Sequence, residues 1–217
     1  MIEAVIFDHD GVIIDNQPYQ GAAWTELFRE NGINISEEDI STKIRGRPTL
    51  VGLKNFFEDK YTEDQLKELA RRKEELYISF FLKDFKEVSG FSKFARKLHD
   101  LRIPMAIATS TTLDLLNITL DKLQLQGLFQ VIVSSEDISE SKPSPQIYLV
   151  TAERLGVTPD KCAIFEDSKS GIESAVAAGS KVILVTTSHK PNELNISGIN
   201  LTIPDFSSLS PQQVLTL

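Results

Sequence analysis

Five short apolar runs punctuate the chain: Ala4-Val5-Ile6-Phe7, Met105-Ala106-Ile107-Ala108, Val131-Ile132-Val133, Cys162-Ala163-Ile164-Phe165 and Val182-Ile183-Leu184-Val185. Each is three or four residues long, too short for a helix, and rich in β-branched types. Consecutive apolar positions are what a strand covered on both faces of a parallel sheet requires. Between the last four runs lie segments of helical period, near 111–123, 145–155 and 168–178. The alternation predicts an α/β fold, a Rossmann-like parallel sheet with right-handed crossovers.

The interval between the first two runs breaks that rhythm. It shows no strand pattern, and helices are predicted near 17–31 (closed by Gly32), 36–43, 49–57 and 62–81, with another near 90–102 leading into the Met105 run. About 70 residues of helix exceed what one crossover needs. The expected organisation is therefore an α/β core from 1–14 and 87–217 with an inserted all-helical cap domain over 15–86.

Composition narrows the function classes. Of 217 residues, 41% are hydrophobic and 25% charged, ordinary for a soluble globular protein. The 23 basic and 31 acidic residues leave a net charge of −8, with no surplus for neutralising nucleic-acid phosphates or anionic membranes. A single cysteine, Cys162, excludes a disulfide framework and a Cys-rich zinc site. Met1-Ile2-Glu3-Ala4 carries no basic n-region, and no apolar run approaches the ~18 residues of a membrane span, so the expectation is a cytoplasmic protein. A monomer or weak homodimer is expected, with no motif that fixes the oligomeric state. Residues 16–88 hold 12 basic and 14 acidic side chains, so the insert is nearly neutral and the core carries most of the negative charge.

In open parallel sheets ligands bind at the carboxyl ends of the strands, so the residues after each run carry the information. After Phe7 comes Asp8-His9-Asp10-Gly11. In an extended chain Asp8 and Asp10 share a face, their repulsion calls for a cation or a shared proton, and His9 points away to be packed or hydrogen-bonded. Gly11 permits a tight turn. After Ala108 comes Thr109-Ser110-Thr111, with Asp114 completing a capping box from Thr111. Hydroxyls and free amides at a helix start can hold an anion, or act as caps only. Ser144 and Pro145 of Lys142-Pro143-Ser144-Pro145 read as N-cap and first helical residue, whereas Lys142 has no capping role. After Phe165 come Glu166 and Asp167. Four acids, a hydroxyl and a lysine thus converge on one sheet edge. Oxygen donors without His or Cys suit a hard cation, above all Mg²⁺, and an ionised carboxylate beside it fits attack on a phosphoryl group.

These residues resemble the haloacid dehalogenase superfamily of phosphotransferases, in its branch with a helical cap after the first strand. Phe7-Asp8-His9-Asp10-Gly11-Val12, Ile107-Ala108-Thr109-Ser110, Lys142-Pro143 and Phe165-Glu166-Asp167-Ser168 with Gly171 resemble its four motifs, in order, over nearly the whole chain. The resemblance implies that Asp8 is transiently phosphorylated and that Asp10 is the general acid and base. It also implies that Thr109 and Lys142 hold the phosphoryl group, and Ser110 is expected among the substrate-binding residues. Asp8, the Asp10 carbonyl and Asp167 would bind Mg²⁺, with Glu166 assisting. Asp10 favours phosphate chemistry, since the dehalogenases of the superfamily lack it.

Further pieces are similar to the β-phosphoglucomutase-like subgroup: Gly11-Val12-Ile13, Asp15, Tyr19, Ala23-Trp24, and Lys67-Glu68-Leu69-Ala70 on to Lys73 and Tyr77. Lys73 interrupts the apolar stripe Leu66, Leu69/Ala70, Tyr77 and Phe80/Phe81, either snorkelling past its edge or aimed into a cleft between the domains. Two positions depart from the mutase pattern, which has histidine at Gln20 and a phosphate-gripping arginine at Thr49; Arg47 stands nearby. The departures favour hydrolysis. The reading is a Mg²⁺-dependent phosphatase acting on a small phosphorylated metabolite, a sugar phosphate, with Lys73, Gln20 and Arg47 selecting it. The alternatives are a phosphoglucomutase-type transfer and a non-catalytic metabolite-binding or phospho-signalling module.

Overall fold

A computed structural model of the chain describes residues 1–40, 44, 49–57, 60–111, 113–189, 194 and 196–217. Its strands are β1 (Ala4–Phe7), β2 (Met105–Ala108), β3 (Val131–Val133), β4 (Cys162–Glu166), β5 (Lys181–Val185) and β6 (Ile199–Ile203). The helices are α1 (Gln17–Glu30), α2 (Glu37–Asp39), α3 (Thr49–Phe57), α4 (Glu63–Lys83), α5 (Phe91–Asp100), α6 (Leu113–Leu123), α7 (Gln146–Leu155), α8 (Lys169–Ala177) and α9 (Pro211–Leu215). Two compact units result, Met1–Asp15 with Lys86–Leu217, and Asn16–Phe85.

The first unit is an α/β core. All six strands pair in parallel in the order β3-β2-β1-β4-β5-β6. The chain runs outward from β1 through β2 to β3, then returns to β4 on the other side of β1. The crevice at that reversal, beyond the carboxyl ends of β1 and β4, is where such sheets bind ligands. Alternation along the strands feeds two cores. Ala4 and Ile6 of β1 join Ile147, Tyr148 and Ala152 of α7 and Ile172 and Ala175 of α8. Phe7, of opposite parity, stacks on Phe165 at 5.0 Å between ring centroids, with Phe91, Phe94, Phe129 and Phe206 around it. The residues immediately before both acidic segments are thus locked in an aromatic cluster.

Among its described residues, the second unit holds helices and no strand. α1 buries Ala23, Trp24, Leu27 and Phe28, one face of a 3.6-residue period, and Phe28 meets Phe56 and Phe57 at 4.4 and 5.6 Å between centroids. α4 starts at a capping box: Thr62 Oγ1 accepts from the Gln65 amide, while the Gln65 side chain accepts from the Thr62 amide. Across the exposed rim Arg72 donates to both Glu30 oxygens, at 2.5 and 2.9 Å, tying α4 to α1.

Two local expectations shift. α7 begins at Gln146 with Pro145 as its cap, one residue later than predicted, while Ser144 Oγ accepts from the Gln146 amide at 3.4 Å. Of the helix expected over 36–43, Glu37–Asp39 is helical and 41–43 lie outside the described residues. Among the described residues, no helix is long and apolar enough to cross a membrane.

Candidate active site

Asp8 leaves β1 directly over the sheet edge, its amide donating to the Phe165 carbonyl at 3.0 Å. The pairing of β1 with β4 therefore sets Asp8 beside Glu166 and Asp167. Oxygens of these three carboxylates, all buried, lie within 4.8 Å of one another. Lys142, reached through a cis Lys142–Pro143 bond, donates to Asp8 Oδ1 at 2.8 Å and Glu166 Oε1 at 2.6 Å. Glu166 Oε1 also accepts from the Tyr148 hydroxyl at 2.5 Å, and its Oε2 accepts from the Asp167 and Ser168 amides. Glu166 is thereby an anchor for Lys142, its lone pairs largely committed. The Lys142 ammonium also lies 5.1 Å from the Tyr148 ring centroid.

Two glycines make these approaches possible. Gly171 opens α8 beneath Glu166, where a Cβ would stand 1.9 Å from Oε1. Gly11, at φ +71°, leaves no room either, since its Cβ would stand 1.9 Å from Asp167 Oδ2. Asp167 Oδ2 in turn accepts from the Ser188 hydroxyl, and Thr187 Oγ1 donates to the Gly11 carbonyl at 2.6 Å.

Asp10 is partly exposed, and its Oδ2 accepts from the Thr111 hydroxyl. That is a correction to the capping box expected of Thr111: α6 starts at Leu113, and the hydroxyl holds the carboxylate instead. Thr109 is fully buried, its amide donating to the Val133 carbonyl and its Oγ1 accepting from the Thr111 amide, both at 3.0 Å. Ser110 beside it is exposed.

Electrostatics mark the cluster as incomplete without a counter-charge. Burial pushes Asp8 up to about 7; the Lys142 ammonium opposes this, and the Glu166 and Asp10 carboxylates add to it. Asp167 is held well above the usual carboxylate range by burial and by Glu166 and Asp8, with Ser188 opposing. Burial disfavours the Lys142 ammonium, yet Asp8 and Glu166 outweigh it and keep the lysine charged. One ammonium among three buried carboxylates leaves negative charge uncompensated. The all-oxygen donor set therefore suits a hard divalent cation.

The haloacid dehalogenase-like hydrolase profile matches residues 5–185, from β1 through β5. The chain belongs to this family. It is 36% identical over 178 residues to the phosphorylated carbohydrates phosphatase of Thermotoga maritima, covering 82% of each chain. A family IA, variant 3, haloacid dehalogenase-type hydrolase from Entamoeba histolytica superposes with a TM-score of 0.90 at 30% identity, over 99% of this chain and 98% of that one. The β-phosphoglucomutase of Clostridium difficile does so at 0.83 and 25%, over 100% and 96%.

In this haloacid dehalogenase-like hydrolase, Asp8, Lys142, Glu166 and Asp167 come together, with Asp10 joined through Thr111 and Thr109. The helical unit brings Gln20 and Lys73 together: the Lys73 ammonium is buried, donates to Gln20 Oε1, and lies 5.6 and 5.1 Å from the Trp24 and Tyr77 ring centroids. Lys73 is thus enclosed by aromatic faces and an amide. Arg47 lies outside the described residues. Sequence reasoning passed over Tyr148, Thr187 and Ser188. The last two had a signal, because Thr186-Thr187-Ser188 follows β5 as Thr109-Ser110-Thr111 follows β2. Tyr148 reads as one more apolar position on α7.

Proposed function

We propose that this chain is a Mg²⁺-dependent phosphatase of small phosphate monoesters, sugar phosphates in the first place, working through an aspartyl phosphate. The observation that carries the reading is Asp8, held by Lys142 at the end of β1 within the carboxylate cluster, with Asp10 two residues on. An Asp8 oxygen attacks phosphorus as the bond to the leaving oxygen breaks, and Asp10 gives that oxygen its proton. The freed Asp10 carboxylate then takes a proton from water, whose oxygen attacks the aspartyl phosphate; phosphate departs and Asp8 is restored. Lys142 and the donors around Thr109 and Ser110 offset charge on the transferring oxygens.

Asp8, Asp167 and the Asp10 carbonyl would hold Mg²⁺, with Glu166 assisting from behind Lys142. Bound there, the cation supplies positive charge against the phosphoryl oxygens. Selection of the substrate falls to Ser110 in the core and to Lys73, Gln20 and Arg47 in the helical unit. The likeness to a phosphatase of phosphorylated carbohydrates supports a sugar phosphate. The likeness to a β-phosphoglucomutase supports a second reading, transfer between sugar phosphates. Gln20 argues against it, because an amide hydrogen-bonded to Lys73 offers no acid–base function.

A phosphate-release screen across sugar phosphates, with Mg²⁺ and with chelator, tests the proposal. Turnover should require the cation, and Asp8→Asn should abolish it. Retained release by that variant overturns the nucleophile assignment. Conversion of β-glucose 1-phosphate to glucose 6-phosphate, primed by a bisphosphate and without stoichiometric free phosphate, would establish the second reading instead.

A further inference from the structure

His9 stands between the two reactive aspartates and is fully buried against α6. Its Nε2 lies 2.9 Å from Thr119 Oγ1, and Thr119 Oγ1 lies 3.0 Å from the Leu115 carbonyl one helical turn back. A hydroxyl has one proton, and a carbonyl can only accept. Both bonds form when Thr119 donates to Leu115 and accepts from His9 Nε2–H. The ring is thereby fixed in orientation and tautomer, and Nδ1 presents its lone pair.

That Nδ1 is buried, lacks a hydrogen-bond partner among the described residues, and lies 3.6 Å from Asp10 Oδ2. The Thr111 hydroxyl donates to the same oxygen. The His9 main chain also holds the turn beyond Asp10, its carbonyl accepting from the Ile13 amide at 2.9 Å and the Ile14 amide at 3.2 Å. Asp10 Oδ2 is thus bonded by the Thr111 hydroxyl and faced by the His9 ring, whose Nδ1 lone pair forms no bond to a carboxylate oxygen and bounds the space that oxygen can take, and the imidazole is placed by Thr119. We propose that His9 and Thr119 are positioning residues that set the Asp10 carboxylate for proton transfer to the leaving oxygen. The inference rests on the reading of Asp10 as the general acid. An unpaired buried N–H is costly, so removing the Thr119 hydroxyl should turn the ring and displace Oδ2.

The experiment compares kcat/KM for two esters, the fastest sugar phosphate of the screen and p-nitrophenyl phosphate. The sugar alkoxide needs a proton as it leaves, whereas nitrophenolate does not, so a displaced acid harms only the first. In the full-length protein with Mg²⁺, Thr119→Val should lower kcat/KM for the sugar phosphate about tenfold and for the aryl ester less than about threefold. Thr119→Ser, which keeps the hydroxyl, should restore most of the loss. His9→Gln, carrying no ring to face Oδ2, should show the same bias and serves if Thr119→Val does not fold. Equal losses on both esters, or none on either, overturn the inference. Asp10→Asn separates the two levels. If it is biased while the Thr119 and His9 variants are not, the positioning role alone fails. If it impairs both esters equally, the acid role fails and the inference with it.

Discussion

Gly171 sets two opposed effects at one residue. It occupies the first turn of α8, where alanine is worth up to about 1 kcal/mol over glycine by helix propensity. Yet its Cβ would stand 1.9 Å from Glu166 Oε1, the oxygen that holds Lys142 and Tyr148. Overpacking a filled site costs about 1–3 kcal/mol, and the displaced carboxylate would release the lysine as well. The clash wins: Gly171→Ala should lower thermal stability and depress phosphate release together. A gain in Tm at unchanged turnover would show that Glu166 moves aside without consequence. Asp167 is the converse case. Its raised pKa means that ionising it costs the folded state, increasingly as pH rises above the unfolded carboxylate value. Asp167→Asn should therefore raise Tm without metal at pH 8, by about 2–4 °C for each kcal/mol recovered. If the parent gains the stability from Mg²⁺ that the proposed site requires, the same variant should lose that gain, a readout independent of turnover.

Among the elements, β1, β2 and β3 coincide with their apolar runs, and β4 and β5 are each one residue longer. They were legible because a strand covered on both faces needs consecutive apolar residues, and few other elements do. β6 was not read: Ile199, Leu201 and Ile203 alternate with the exposed Asn200 and Thr202, as suits a strand with one face covered and the other open to solvent. Helices followed from amphipathic period and caps, as α4 shows. Thr62→Ala removes the hydroxyl that satisfies the Gln65 amide and should destabilise the protein by about 1 kcal/mol. Thr62→Ser should retain most of that stability. Urea unfolding followed by circular dichroism measures both, and an unchanged midpoint for the alanine variant would remove the capping box from the account. Thr111 shows why cap reading alone misleads: its hydroxyl serves a carboxylate 101 residues away instead of its own helix.

On the scale of the whole molecule, a −8 chain gathers Asp8, Glu166 and Asp167 at the switch point of one sheet and sets Lys142 among them. Such crowding should make the protein cation-sensitive: saturating Mg²⁺, at about 100 times its Kd, should add about 2.7 kcal/mol to stability, and chelator should reverse it. A Tm indifferent to Mg²⁺ would separate the cluster from metal binding. The sequence by itself determined β1 to β5, the helical period of the segments between them and the acids, hydroxyls and lysine that follow the strands, because local period and strand ends are properties of contiguous residues. Only the tertiary structure decided that Glu166 is spoken for by Lys142 and Tyr148, that Ser188 reaches Asp167, that Lys73 and Gln20 meet among aromatic rings, and that His9 is held by Thr119 beside Asp10. Those are contacts between residues from 18 to 110 positions apart. Hydrogen-bond partners at such range are set by how strands pair and helices pack, which no local pattern records.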